Sequence, residues 1–127
     1  MNERFYINKN NKNGIVVSGS GELALGNLGS EFEEITARSV EAATEKHIPV
    51  IEIDKNKVTV IVGEVEHPML EEHFIEWVLL KTKQGSQLKK LEIGQKPVAE
   101  FMLSENDEVV SAYAYCNLHG LWDKATI

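Results

Sequence analysis

The sequence predicts an all-β protein, an antiparallel β-sandwich preceded by a small N-terminal β module. Three observations predict it. From residue 50 onward, short apolar runs recur with period-two alternation and many β-branched and aromatic residues. Turn-forming clusters separate these runs, and no long amphipathic helix lies between them. Strands joined by turns this short pair antiparallel, and several of them bury their apolar faces by closing into a sandwich.

Residues 1–37 read differently from the rest. They are polar and rich in Asn and Gly, with Asn13-Gly14 ahead of Ile15-Val16-Val17 and then Gly19, Gly21, Gly26 and Gly29. An Asn-Gly pair before a β-branched run predicts a hairpin. Such a hairpin is too small to hold a core, so it is expected to pack on its neighbour or on a second subunit. This divides the chain into a β module at 1–37 and a principal domain at 38–127. Ser39 to Lys46 is the one stretch suited to a helical turn. Pro49 bars continuation through His47 and Ile48, which places His47 in a loop. Six strands follow: Val50–Ile53, Val58–Val62, Phe74–Thr82, Leu88–Ile93, Val98–Leu103 and Val109–Cys116. Asp54-Lys55-Asn56-Lys57, Lys83-Gln84-Gly85-Ser86 and Ser104-Glu105-Asn106-Asp107 supply turns between them. A seventh strand is expected at Glu33–Ala37 or from the N-terminal piece.

The chain has 127 residues, 43% of them apolar, enough for one packed domain with a small appendage. A net charge of -7 and the lack of a basic stripe exclude nucleic acid as a partner. A small anionic substrate would need a local positive charge, and Lys46 is the obvious supplier. The single cysteine makes no internal disulfide, Met1-Asn2-Glu3-Arg4-Phe5-Tyr6 lacks a signal-peptide apolar stretch, and no segment reaches membrane-spanning length. The expected location is the cytoplasm, with no membrane partner.

All four histidines and the only cysteine fall in three clusters: Glu45-Lys46-His47-Ile48-Pro49, His67-Pro68-Met69-Leu70-Glu71-Glu72-His73 and Cys116-Asn117-Leu118-His119-Gly120. Each cluster alone has an ordinary reading, a buried structural cysteine or a pair of solvated surface histidines. Together they form five borderline or soft ligands at loop and strand-end positions, where a rigid sandwich presents functional groups. Imidazoles and a thiolate suit iron or copper, whereas calcium and magnesium want oxygen. A Cys-His nucleophile would use one histidine and leave three unexplained. A blue-copper centre uses two His, one Cys and an axial Met, yet no Met follows Cys116 and two histidines would be surplus. Iron-based redox chemistry is the expectation.

These motifs resemble the metal-site motifs of the superoxide reductases of the desulfoferrodoxin and neelaredoxin family. The resemblance spans residues 38–127 and includes Ile75-Glu76-Trp77 and Trp122. It implies an immunoglobulin-like sandwich and a single iron per chain, cycling between Fe2+ and Fe3+. The implied ligands are the imidazoles of His47, His67, His73 and His119 and the thiolate of Cys116. His119 would bind through the ring nitrogen nearer the backbone and the other three through the far one. The implied reaction is reduction of superoxide to hydrogen peroxide without dioxygen. Lys46 would attract superoxide and orient a proton-donating water, and Glu45 would occupy the sixth position on ferric iron. The resemblance also implies a homodimer or higher homo-oligomer and an electron donor such as rubredoxin. Longer family members carry a desulforedoxin-like module with a second iron on four cysteines. Residues 1–37 contain no cysteine, so this module is expected to be vestigial, with no second iron centre. A non-catalytic electron carrier built on the same ligands is the alternative.

Overall fold

The structure, a computed structural model, describes residues 4–10, 15–18 and 31–126, with 15–18 in backbone only. The Asn13-Gly14 turn and Gly19, Gly21, Gly26 and Gly29 lie outside the described residues. The chain separates into two compact units, Met1–Ser39 and Val40–Ile127.

In the first unit, β1 (Arg4–Asn8) lies between β2 (Ile15–Ser18) and β3 (Phe32–Ile35), antiparallel to both. The expected hairpin is therefore part of a three-stranded sheet, and β3 lies close to the strand expected at Glu33–Ala37. Phe5, Tyr6 and Ile7 are consecutive and all buried. Arg4 donates two hydrogen bonds to the Glu34 carboxylate, 2.8 and 2.7 Å, across β1 and β3.

The second unit opens with a single turn of helix, α1 (Thr44–His47). Seven strands follow: β4 (Pro49–Asp54), β5 (Lys57–Val62), β6 (Ile75–Thr82), β7 (Ser86–Lys90), β8 (Val98–Met102), β9 (Val109–Cys116) and β10 (Gly120–Ala125). They form two antiparallel sheets ordered β4-β5-β8 and β10-β9-β6-β7. Sheets of three and four strands sharing one core are the immunoglobulin-like arrangement. Val58, Val60 and Val62 of β5 and Phe101 of β8 meet Val78 and Leu80 of β6 and Ala112 and Ala114 of β9 in that core. Alternation along β5 puts all three valines inward. On the opposite face of the four-stranded sheet, Trp77 and Tyr115 stack at 5.4 Å.

Three local expectations are corrected. The helix includes His47, because Pro49 restricts only the residue before it; Ile48 takes the extended conformation (φ -70, ψ 122) and His47 stays helical. β7 runs from Ser86 to Lys90 rather than from Leu88 to Ile93. Thr82 N donates to Gly85 O at 2.8 Å, so pairing with β6 starts at Ser86, and a Glu92–Gln95 turn ends it early. β10 was not expected at all. Its buried pair Leu121-Trp122 is adjacent in sequence, so no period-two signal marks it. Among the described residues no helix is long and apolar enough to cross a membrane.

Candidate metal centre

Each ligand-type side chain is placed by a short structure next to a strand end. His47 closes α1, and its Nδ1–H donates to Ala43 O at 2.7 Å. Gly63, just after β5, lies against this turn; a Cβ there would sit 2.9 Å from Glu45 O and 2.9 Å from Lys46 C. His67 follows in the loop after β5, anchored by its backbone N to Val62 O at 3.0 Å, and its Nδ1–H donates to Pro68 O at 2.7 Å. His73 exchanges backbone hydrogen bonds with Leu70, 2.9 and 3.0 Å, in a small bridge that returns the loop to β6. Cys116 ends β9 and pairs with Gly120, the first residue of β10. The intervening Asn117-Leu118-His119 is a three-residue hairpin loop, closed by Gly120 at φ +77, which a side chain would disfavour.

Two neighbours hold these loops together. Asn117 Oδ1 accepts from Phe74 N at 3.0 Å while its Nδ2 donates to Glu72 O at 3.2 Å, clamping both sides of His73 to the hairpin loop. Trp122 Nε1 donates to His119 O at 3.0 Å, and its ring lies 5.0 Å from that of His47.

The four imidazoles form a square. Going round it, His47–His67, His67–His73, His73–His119 and His119–His47 have centroids 4.6, 4.6, 5.0 and 4.9 Å apart, each pair nearly perpendicular. The diagonal His47–His73 is 6.2 Å. His47 Nε2 lies 3.1 Å from His67 Nε2 and 3.2 Å from His119 Nδ1, so these nitrogens point inward. Nitrogens so spaced at the corners of a square are about 2.2 Å from its centre, close to the ~2.0–2.1 Å of a zinc–imidazole bond. The buried Cys116 sulfur is 3.9 Å from His119 Nδ1. Ligand atoms of His47, His67, His73 and Cys116 all lie within 4.8 Å of one another.

The electrostatics call for a cation at the centre. His47 and His67 both spend their Nδ1 protons on backbone carbonyls, so in their neutral forms two Nε2 lone pairs face each other. His73 Nε2 is buried with no hydrogen-bond partner among the described residues. A proton is disfavoured as the mediator. Burial pushes the His67 pKa down to about 4, and burial together with neighbouring imidazoles lowers His47 and His73. Burial raises the Cys116 thiol, partly offset by the backbone N–H groups of His119 and Leu118. A divalent cation reverses these preferences by turning inward lone pairs and a thiolate into bonds. The donor set of imidazole nitrogen and one sulfur fits a redox-active transition metal.

Residues 39–125 match the sequence profile of the Desulfoferrodoxin family. The chain belongs to the desulfoferrodoxin family. It is 40% identical over 119 residues to a desulfoferrodoxin of Clostridium acetobutylicum, covering 92% of this chain and 91% of that one. It is 36% identical over 106 residues to the superoxide reductase of Pyrococcus horikoshii, covering 69% of this chain and 91% of that one. The crystal structure of the superoxide reductase from Treponema pallidum superimposes with a TM-score of 0.73 at 48% identity, covering 76% of this chain and 80% of that one.

In this desulfoferrodoxin-family chain the two charged residues before His47 diverge. Lys46 lines a concavity together with His67, whereas Glu45 lines a separate one with Ile48 and Lys124. Both are exposed. Two positioning residues escape a reading of the sequence. Asn117 lies within a singled-out motif but gives no sign of its partners, and Gly63 belongs to no motif.

Proposed function

We propose that this protein is a superoxide reductase, giving one electron to superoxide at a single non-haem iron and releasing hydrogen peroxide without dioxygen. One observation carries the reading: four imidazoles in a square with nitrogens turned inward beside a buried thiol. The similarity to the superoxide reductases of Treponema pallidum and Pyrococcus horikoshii supports it.

His47, His67 and His73 through Nε2, His119 through Nδ1 and Cys116 through sulfur are the residues that would hold iron. When bound, iron supplies a ferrous/ferric couple that provides the electron. The remaining chemistry belongs to the chain. The carbonyls of Ala43 and Pro68 fix two rings and keep their Nε2 lone pairs directed inward. Neutral imidazoles and one thiolate leave a ferrous site with about one net positive charge, favourable to an anion. With five donors supplied by the chain, the bound metal would still be able to accept one further ligand, the substrate. Lys46 draws superoxide inward against a chain charge of -7 and orients a proton-donating water. Superoxide, one electron and two protons balance to hydrogen peroxide. Glu45, two residues before His47 and exposed, would be the carboxylate available to iron in its oxidised state, on turning from the concavity it lines with Ile48 and Lys124.

The single cysteine cannot supply a four-thiolate iron site within the chain, so the electron comes from an external donor, a small redox protein such as rubredoxin. Residues 1–37 serve as a vestigial structural module, and 38–127 as the catalytic domain. A three-stranded sheet this small favours packing on a second copy, in keeping with a homodimer or higher homo-oligomer. A lone free thiol suits the cytoplasm. The test is anaerobic loading with ferrous iron followed by a pulse of superoxide. Rapid second-order oxidation, slowed by azide, is expected. No reaction, with indifference to azide, would identify an electron carrier with a closed coordination shell.

A further inference from the structure

We propose that Lys96 is a second cationic guide for the anionic substrate, acting with Lys46 at the concavity that opens onto His67. The inference rests on the superoxide-reducing reading above. The concavity has a volume of about 480 Å³, and its walls include Lys46, Glu66, His67, Pro68, Lys96 and Pro97. The other described concavity, about 600 Å³, touches none of the five ligand-type residues. An anion that reaches His67 through this concavity passes both lysines.

The charge arrangement is local and specific. Lys46 and Lys96 face one carboxylate, Glu66, so the cavity walls carry a net positive charge in a chain of net charge -7. Neither lysine is in a salt bridge among the described residues, whereas Lys57 and Lys83 hold Glu100 and Glu108 at 2.9 and 3.0 Å. An unneutralised charge at the mouth of a cleft with low-dielectric walls concentrates counter-ions and raises encounter rates.

The loop that carries Lys96 is braced against the ligand loop. Gly94 N donates to Met69 O at 3.0 Å, joining it to the His67-Pro68-Met69 segment. Val98 N donates to Lys96 O and Val62 N to Pro97 O, both at 2.8 Å, which ties the same loop to the strand preceding His67. The backbone of Lys96 is thus fixed relative to the site while its side chain stays exposed. Lys96 lies in none of the three ligand motifs, so only the fold brings it there.

The experiment measures the second-order rate constant of ferrous-loaded protein with radiolytic superoxide as a function of ionic strength. Lys96→Gln should lower it about twofold at ~0.01 M salt, the effect of removing one charge about 10 Å from the target in water, and the loss should vanish near ~1 M. Glu66→Gln should raise it by a similar factor. Lys55→Gln, in the hairpin turn at the far end of β4, should leave it unchanged. A second readout needs no iron: amide resonances of metal-free protein titrated with sodium azide at constant ionic strength. Lys46, Leu70 and Gly94 should shift saturably in the wild type and more weakly in Lys96→Gln. Equal rate constants for Lys96→Gln and wild type at low salt would overturn the proposal. If wild type does not consume superoxide, the titration decides. A Lys96-dependent shift then keeps the anion guide while the reductase reading falls, and a Lys96-independent one removes the guide as well.

Discussion

Gly63→Ala tests how tightly the first ligand turn is held. The new Cβ would stand 2.9 Å from Glu45 O, 2.9 Å from Lys46 C and 3.0 Å from Ile48 O. All three atoms are backbone, so no side chain can rotate away. Ordinary contact begins at 3.4 Å, so the turn bearing His47 must retreat by about 0.5 Å. Overpacking of this kind costs about 1–3 kcal/mol. The same displacement pulls His47 out of a square whose nitrogens are 3.1 and 3.2 Å apart. Disturbing the groups that orient a ligand lowers metal affinity by about 10–100-fold. The assay pairs urea unfolding of metal-free protein with ferrous-iron affinity measured against a competing chelator. Gly85→Ala is the control, because nothing lies within 4 Å of its Cβ, and it should change stability by under about 0.5 kcal/mol. A Gly63→Ala protein with wild-type stability and wild-type iron affinity would refute the close-packing argument.

Asn117→Ala removes both hydrogen bonds that clamp the His73 loop, leaving Phe74 N and Glu72 O without their side-chain partner. It should cost about 1–3 kcal/mol in urea unfolding and lower iron affinity about tenfold. Lys46→Met should slow the reaction with superoxide and flatten its dependence on salt; an unchanged rate would remove Lys46 from the mechanism. Metal-free protein should lose stability as the pH falls from 6.5 toward 4, seen as a falling thermal midpoint. Buried His67 titrates near 4 when folded and near 6.5 when unfolded, so in that window the unfolded chain binds more protons. A midpoint flat across that range would show that His67 is not held neutral by burial.

The strands were the readable part of the fold, because a half-buried strand writes its period into the sequence. β5 shows this in Val58, Val60 and Val62, all fully buried. Where another interaction sets the boundary, the pattern misleads. The Thr82–Gly85 turn fixes the start of β7, and the adjacent pair Leu121-Trp122 hides β10. The five ligand-type residues stood out because those residue types occur nowhere else in the chain. What could not be read was the support around them. Gly63 meets Glu45 and Lys46, and Asn117 meets Glu72 and Phe74, only after distant segments have paired. The helical conformation of His47 was likewise obscured by a proline whose influence stops one residue short of it.

The most direct test of the central claim is stoichiometric. Ferrous-loaded protein is given superoxide under anaerobic conditions with an excess of reductant, and hydrogen peroxide and dioxygen are both measured. One peroxide for each superoxide consumed, with no dioxygen, is the result expected of a reductase. One peroxide for every two superoxides, with dioxygen released, would mean dismutation and contradict the account.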